Sequence, residues 1–131
     1  MGKDLAGAFP AARDAFALVD DALGTPLSAL CFDGPAEELT LTHNAQPALV
    51  AHGAAVWAVA GPLFDGRAVA AAGHSLGEFT AYYAAGGLAL GDAARLVRRR
   101  GQLMYQAGVD RPGAMAAILG DTIEPIDAIC E

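Results

Sequence analysis

Gly73-His74-Ser75-Leu76-Gly77-Glu78 follows the short apolar run Ala68-Val69-Ala70-Ala71-Ala72 and precedes a helical run to about Ala85. The composition of the apolar run allows helix or strand, and the glycine-flanked serine with a helical run after it decides for strand. A serine at the apex of a sharp strand-to-helix turn is held in a strained backbone conformation, with its hydroxyl clear of the sheet. Small residues two positions either side let the chain pass without collision. The amides that open the next helix, notably the N–H of Leu76, point at the serine and stabilise an oxyanion there. The only other serine is Ser28. The alternative is a structural turn, because two glycines around a serine recur by chance in a chain with 16 glycines.

Outward from this turn, helical periodicity dominates. Leu5, Phe9, Ala12, Phe16, Val19 and Leu23 recur at steps of three and four, which predicts a helix from about Asp4 to Leu23, kinked or broken at Pro10. A short helix or turn is expected over Leu27 to Phe32, and Asp33-Gly34-Pro35 is a turn signal. A buried helix is expected from about Gln46 to Ala60, with Asn44 as N-cap and Pro47 in the first turn. Another runs from Asp92, as N-cap, to about Ala107. Gly113 to Gly120 reads as a buried strand, and Thr122 begins a further helix.

A serine nucleophile needs a base. His74 adjoins Ser75, and neighbouring side chains on such a turn diverge, so it suits fixing the turn or lining a pocket. His43 and His52 flank or lie in the helix over 46–60 and read as partly buried structural histidines. The sequence thus offers a nucleophile without a convincing base. On the helix from Asp92, Arg100 shares one face with Leu96, Leu103 and Ala107, whereas Arg98 and Arg99 fall on the polar side, either solvated or meeting an anionic partner. A guanidinium on an apolar stripe needs a hydrogen-bonded partner, and arginine suits a carboxylate gripped through two parallel N–H···O bonds. That carboxylate is either internal, from Glu78 or Asp92, or it comes from a ligand.

Composition narrows the function. The 131 residues are 54% hydrophobic and 18% charged, which excludes a disordered chain. Alanine is the commonest residue, so the expectation is closely packed small-residue helices around a core with few bulky groups. Eight basic against 15 acidic residues give a net charge of −7, which argues against nucleic-acid binding. Two cysteines, Cys31 and Cys130, without metal-ligand spacing suggest reduced cytoplasmic thiols rather than a disulfide scaffold or zinc site. Thr40 to Phe64 carries no formal charge, but it is broken by Asn44, Gln46, Pro47, His52 and Pro62 and reads as a buried helix rather than a membrane span.

Four stretches in order carry a family resemblance: Leu41-Thr42-His43-Asn44-Ala45-Gln46-Pro47-Ala48-Leu49, Gly73-His74-Ser75-Leu76-Gly77-Glu78, Arg100-Gly101-Gln102-Leu103-Met104, and Gly113 to Gly120. Together they resemble the malonyl-CoA:acyl carrier protein transacylases of fatty acid synthesis and the related acyltransferase domains of polyketide synthases. The resemblance implies an α/β fold, an α/β-hydrolase-like core with a nucleophile elbow, into which a ferredoxin-like subdomain is inserted. It places the partial large subdomain at 1–111 and the start of the small one at 112–131. It implies that Ser75 takes a malonyl group from malonyl-CoA as a malonyl-serine ester. The phosphopantetheine thiol of acyl carrier protein then receives it. It implies substrate-binding roles for Arg100 on the malonyl carboxylate, Leu76 as an oxyanion amide, and Gln46 near the active site. No metal or prosthetic group is implied.

The departures carry their own expectations. The family's Gly/Gln-rich opening segment, which supplies a second oxyanion amide, has no counterpart ahead of Met1. The family's catalytic histidine lies beyond the small subdomain. The expectation is therefore the front portion of a larger acyltransferase, inactive by itself. The rivals are a serine esterase or thioesterase, insensitive to Arg100, and a non-catalytic partial copy that binds a partner.

Overall fold

The computed structural model describes residues 1–64, 66–113, 120 and 128. Among these residues the elements with described bounds are seven helices: α1 Lys3–Ala8, α2 Pro10–Leu23, α3 Leu27–Asp33, α4 Ala36–Thr40, α5 Thr42–Phe64, α6 Gly77–Ala84 and α7 Leu90–Asp110. No β-strand occurs among the described residues. This overturns the expected α/β-hydrolase-like core with its nucleophile elbow and ferredoxin-like subdomain. The run Ala68–Ala72 forms no strand. A strand is held by its ladder, and alanine contributes little strand preference of its own. Among the described residues the run finds no neighbour to pair with; it is exposed throughout and leaves Val69 97% exposed. The strand expected over 113–120 and the helix from Thr122 lie outside the described residues, apart from Gly113, Gly120 and Ala128. So does most of the 112–131 subdomain.

The helices arise where periodicity placed them, with shifted ends. Pro10 breaks the first pattern in two: it stands at the start of α2, where its missing N–H costs nothing. Gly24 closes α2 in the left-handed region at φ 63°, the common glycine stop. Helix α4 has no counterpart among the expected elements. Helix α5 begins at Thr42, so Asn44 is not its cap. Asn44 instead ties α4 to α7, donating from Nδ2 to the Glu38 carbonyl (2.8 Å) and accepting from Arg98. Likewise Ala89 precedes α7 as its N-cap residue. Asp92 lies in the first turn, where a negative charge suits the helix dipole, and pairs with Arg95 at 2.7 Å.

Helix α5 is the centre, packed against α2 and α7, which also touch each other. It is long and apolar enough to cross a membrane, but here it is the shared core helix of a bundle. Its buried residues Ala48, Val50, Ala51, Ala54 and Ala55 meet Ala12, Ala15, Phe16 and Val19 of α2 and Ala93, Ala94 and Val97 of α7 in one apolar cluster. Small side chains make this interface thin and bring the helix backbones close. The closest approach is at Gly101, where a Cβ would lie 2.6 Å from the His43 Cα and 2.7 Å from the Thr42 carbonyl oxygen. Bulky groups are few; the largest in the core is the buried Phe16, which Phe32 meets edge-on at 4.9 Å.

Two glycines of α7 should therefore respond in opposite directions. Gly101→Ala forces a methyl against backbone that cannot rotate away, and should cost about 1–3 kcal/mol. A Cβ at Gly108 meets nothing within 4 Å, so Gly108→Ala should stabilise by about 0.5–1 kcal/mol through the better helix former. Urea unfolding followed by circular dichroism reads both.

Candidate active site

Ser75 is the one residue other than glycine with positive φ among the described residues, at 53°. An L-residue held there costs on the order of 1–3 kcal/mol. The turn around it is closed by the Gly77 N–H donating to the His74 carbonyl at 2.8 Å, and α6 begins at once. Gly73 makes this turn possible. A Cβ there would lie 2.0 Å from the Gly77 carbonyl carbon, whereas a Cβ on Gly77 would meet nothing within 4 Å. The two glycines around Ser75 are therefore unequal: the first is required by contact, the second is not.

The Ser75 hydroxyl is exposed, and Arg100 donates to its Oγ from Nη2 at 2.8 Å. Arg100 Nη1 donates to Gln46 Oε1 at 2.6 Å. Gln46, only 6% exposed, uses its other end as well: Nε2 donates to Thr42 Oγ1 at 2.9 Å and to Met104 Sδ at 3.3 Å. The Leu76 N–H donates to no protein acceptor among the described residues and stays available beside Ser75. Helices α5, α6 and α7 thus bring Gln46, Ser75, Leu76 and Arg100 to one place.

The environment of Arg100 differs from the sequence reading. Leu96 and Leu103, its expected apolar stripe, are 51% and 53% exposed; the buried face of α7 is Leu90, Ala93, Ala94, Val97 and Gly101. Neither Glu78 nor Asp92 pairs with it, and among the described residues no carboxylate lies within ion-pair distance. Its guanidinium is half-buried and bonded only to neutral oxygens. Arg98, by contrast, bonds to Asn44, and its burial lowers its pKa from the ordinary arginine range. The structure adds two site residues that sequence reasoning missed, Thr42 and Met104. Their signal was available in the four-residue spacings Thr42–Gln46 and Arg100–Met104, one helical turn each.

The three histidines lie in different surroundings. His43 packs edge-on against Tyr105 at 5.3 Å, His52 lies against the Gly2–Phe16 corner, and His74 is exposed. None of them hydrogen-bonds to Ser75 Oγ. An open cavity of about 890 Å³ runs beside Ser75, lined by Leu49, Val56, Trp57, Leu76 and Thr80. No group of three potential metal ligands occurs among the described residues.

The site is thus an exposed serine in a strained turn, with a free amide beside it and a cation that meets no carboxylate among the described residues. Residues 1–130 match the acyl transferase domain family, and the chain belongs to it. Within that family the chain is similar to malonyl CoA-acyl carrier protein transacylases. It is 46% identical to that of Bacillus subtilis (strain 168), over all of this chain and 41% of the relative. The acyl-carrier-protein-S-malonyltransferase of Bartonella henselae superposes with a TM-score of 0.78 at 51% identity, covering 82% of this chain and 35% of that one. A malonyl-transacylase solved in complex with a type II polyketide synthase acyl carrier protein gives 0.74 at 46%, over 82% and 35%. The chain spans about two fifths of the length of the curated relative.

Strain and contact at the turn are separable by substitution. Ser75→Gly and Ser75→Ala both lose the bond to Arg100, but only glycine relaxes the left-handed backbone. The glycine variant should be the more stable by about 1 kcal/mol in urea unfolding. Gly73→Ala should destabilise by about 1–3 kcal/mol, while Gly77→Ala should be nearly neutral.

Proposed function

We propose that this chain supplies the nucleophile and the carboxylate grip for transfer of a malonyl group from malonyl-CoA to the phosphopantetheine thiol of acyl carrier protein, in the cytoplasm, during fatty acid synthesis. The observation that carries this reading is Arg100, a half-buried cation bonded to Ser75 and Gln46 with no carboxylate partner among the described residues. A guanidinium within reach of the nucleophile selects an acyl group that brings its own negative charge.

Ser75 Oγ attacks the thioester carbonyl carbon and gives up its proton. The negative charge that develops on the carbonyl oxygen meets the Leu76 N–H at the start of α6. The C–S bond then breaks, coenzyme A leaves as its thiol, and malonyl stays as an ester on Ser75. The carrier-protein thiol attacks that ester, a new C–S bond forms as the bond between the carbonyl carbon and Oγ breaks, and the thiol's proton passes to Oγ. During this cycle Arg100 exchanges its bond to Ser75 Oγ for the malonyl carboxylate, while Gln46 holds the other guanidinium nitrogen. The reading assigns the base for the serine proton to none of His43, His52 and His74. It therefore expects slow or absent turnover by this chain alone.

Affinity tests the grip without requiring turnover. By calorimetry, malonyl-CoA should bind at least about tenfold tighter than acetyl-CoA, the worth of a charge-assisted hydrogen bond. Arg100→Ala should abolish the difference by weakening malonyl-CoA alone. Equal affinities in the unsubstituted chain would favour an esterase that takes neutral acyl groups.

A further inference from the structure

Thr42 and Gln46 lie one turn apart on α5, and Arg100 and Met104 lie one turn apart on α7. The four side chains form a square between the two helices with the Gln46 amide at its centre. The amide has two ends of opposite hydrogen-bonding character, an acceptor oxygen and a donor NH2. Arg100 is donor-only, and the Met104 thioether is acceptor-only. One amide orientation satisfies both: Oε1 toward Arg100 at 2.6 Å and Nε2 toward Met104 at 3.3 Å. The flipped amide would set NH2 against guanidinium N–H groups and oxygen against sulfur, two repulsive contacts on a residue that is itself only 6% exposed. Thr42 imposes no such choice, because a hydroxyl both donates and accepts; its Oγ1 takes the second Nε2 hydrogen at 2.9 Å. Both amide hydrogens and the amide oxygen are then engaged.

From this we propose that Met104 is a positioning residue: its sulfur fixes the polarity of the Gln46 amide, which in turn anchors Arg100 so that Nη2 stays at Ser75 for a ligand carboxylate. Met104 acts through Gln46 and touches no reacting atom. This inference rests on the carboxylate-gripping role of Arg100 proposed above. It deepens that reading by identifying what holds the arginine in place before the ligand arrives. A leucine of similar volume would fill the same space, but it offers the amide no acceptor.

Met104→Leu in the full 131-residue chain is the test, with two readouts. In nitrogen–proton NMR spectra, solvent exchange of the Gln46 side-chain NH2 should accelerate about three- to tenfold on losing one neutral hydrogen bond. By calorimetry, the Kd for malonyl-CoA should rise by a similar factor, with that for acetyl-CoA unchanged. In a Gln46→Leu background, Met104→Leu should add nothing further. An unchanged amide signal overturns the proposal. So does equal weakening of both ligands, or an undiminished Met104→Leu effect in the Gln46→Leu background, because each means the sulfur acts by packing alone. If the unsubstituted chain does not distinguish malonyl-CoA from acetyl-CoA, the carboxylate reading fails, and the NH2 exchange rate decides on the amide lock by itself.

Discussion

The close approach of α5 and α7 at Gly101 is the contact on which the site depends. With no side chain there, the backbone of α7 comes against Thr42 and His43, within the distance a methyl would need. That approach places Arg100, the preceding residue, opposite Gln46, and Met104 one turn further on beside the same amide. A wider helix pair would leave Gln46 with a buried amide and too few partners, a cost on the order of 1–3 kcal/mol for each group left unsatisfied. Packing and chemistry therefore impose the same spacing. The alanine-rich faces of α2, α5 and α7 maintain it along the rest of the bundle.

The second constraint is electrostatic. Arg100 is partly withdrawn from water, and its partners are an amide oxygen and a hydroxyl oxygen rather than a carboxylate. Neutral partners orient a guanidinium without cancelling its charge. The cation stays directed at the serine, next to the free Leu76 N–H. Positive charge and an unpaired donor meet at one exposed hydroxyl, held in a backbone conformation that L-residues avoid. Strain of that kind persists only where the surroundings over-determine it, and here Gly73 and the Gly77–His74 bond do so.

Much of this was legible in the residues. Steps of three and four marked the stretch of α1 and α2 and the helix α7, an uncharged apolar run marked α5, Pro10 located the break between α1 and α2, and the shortage of bulky residues foretold a thin core. The helix starts were misplaced because Asn44 and Asp92 are good caps by type but found better uses, one binding Arg98 and the other Arg95. The α/β core was misread for a more basic reason. The composition of Ala68–Ala72 allows helix or strand, and the turn after it argued for strand; but a strand is defined by a neighbour that local sequence does not supply, and among the described residues there is none. The apolar stripe assigned to Arg100 failed similarly: the face of α7 that meets α5 turns on Gly101, and periodicity alone ranks a glycine low.

By itself the sequence determined which residue types stand at which spacings, because those are local properties. A serine between glycines, an arginine one turn from a methionine, and a glutamine one turn from a threonine can each be read from the chain. Only the tertiary structure decided what these groups do to one another. It gave Arg100 neutral partners in place of Glu78 or Asp92, left the serine hydroxyl bonded to Arg100 and to no histidine, and set a donor-only and an acceptor-only group on either side of the Gln46 amide. Those relations depend on how closely two helices approach, and that distance is set by the summed contacts of both faces.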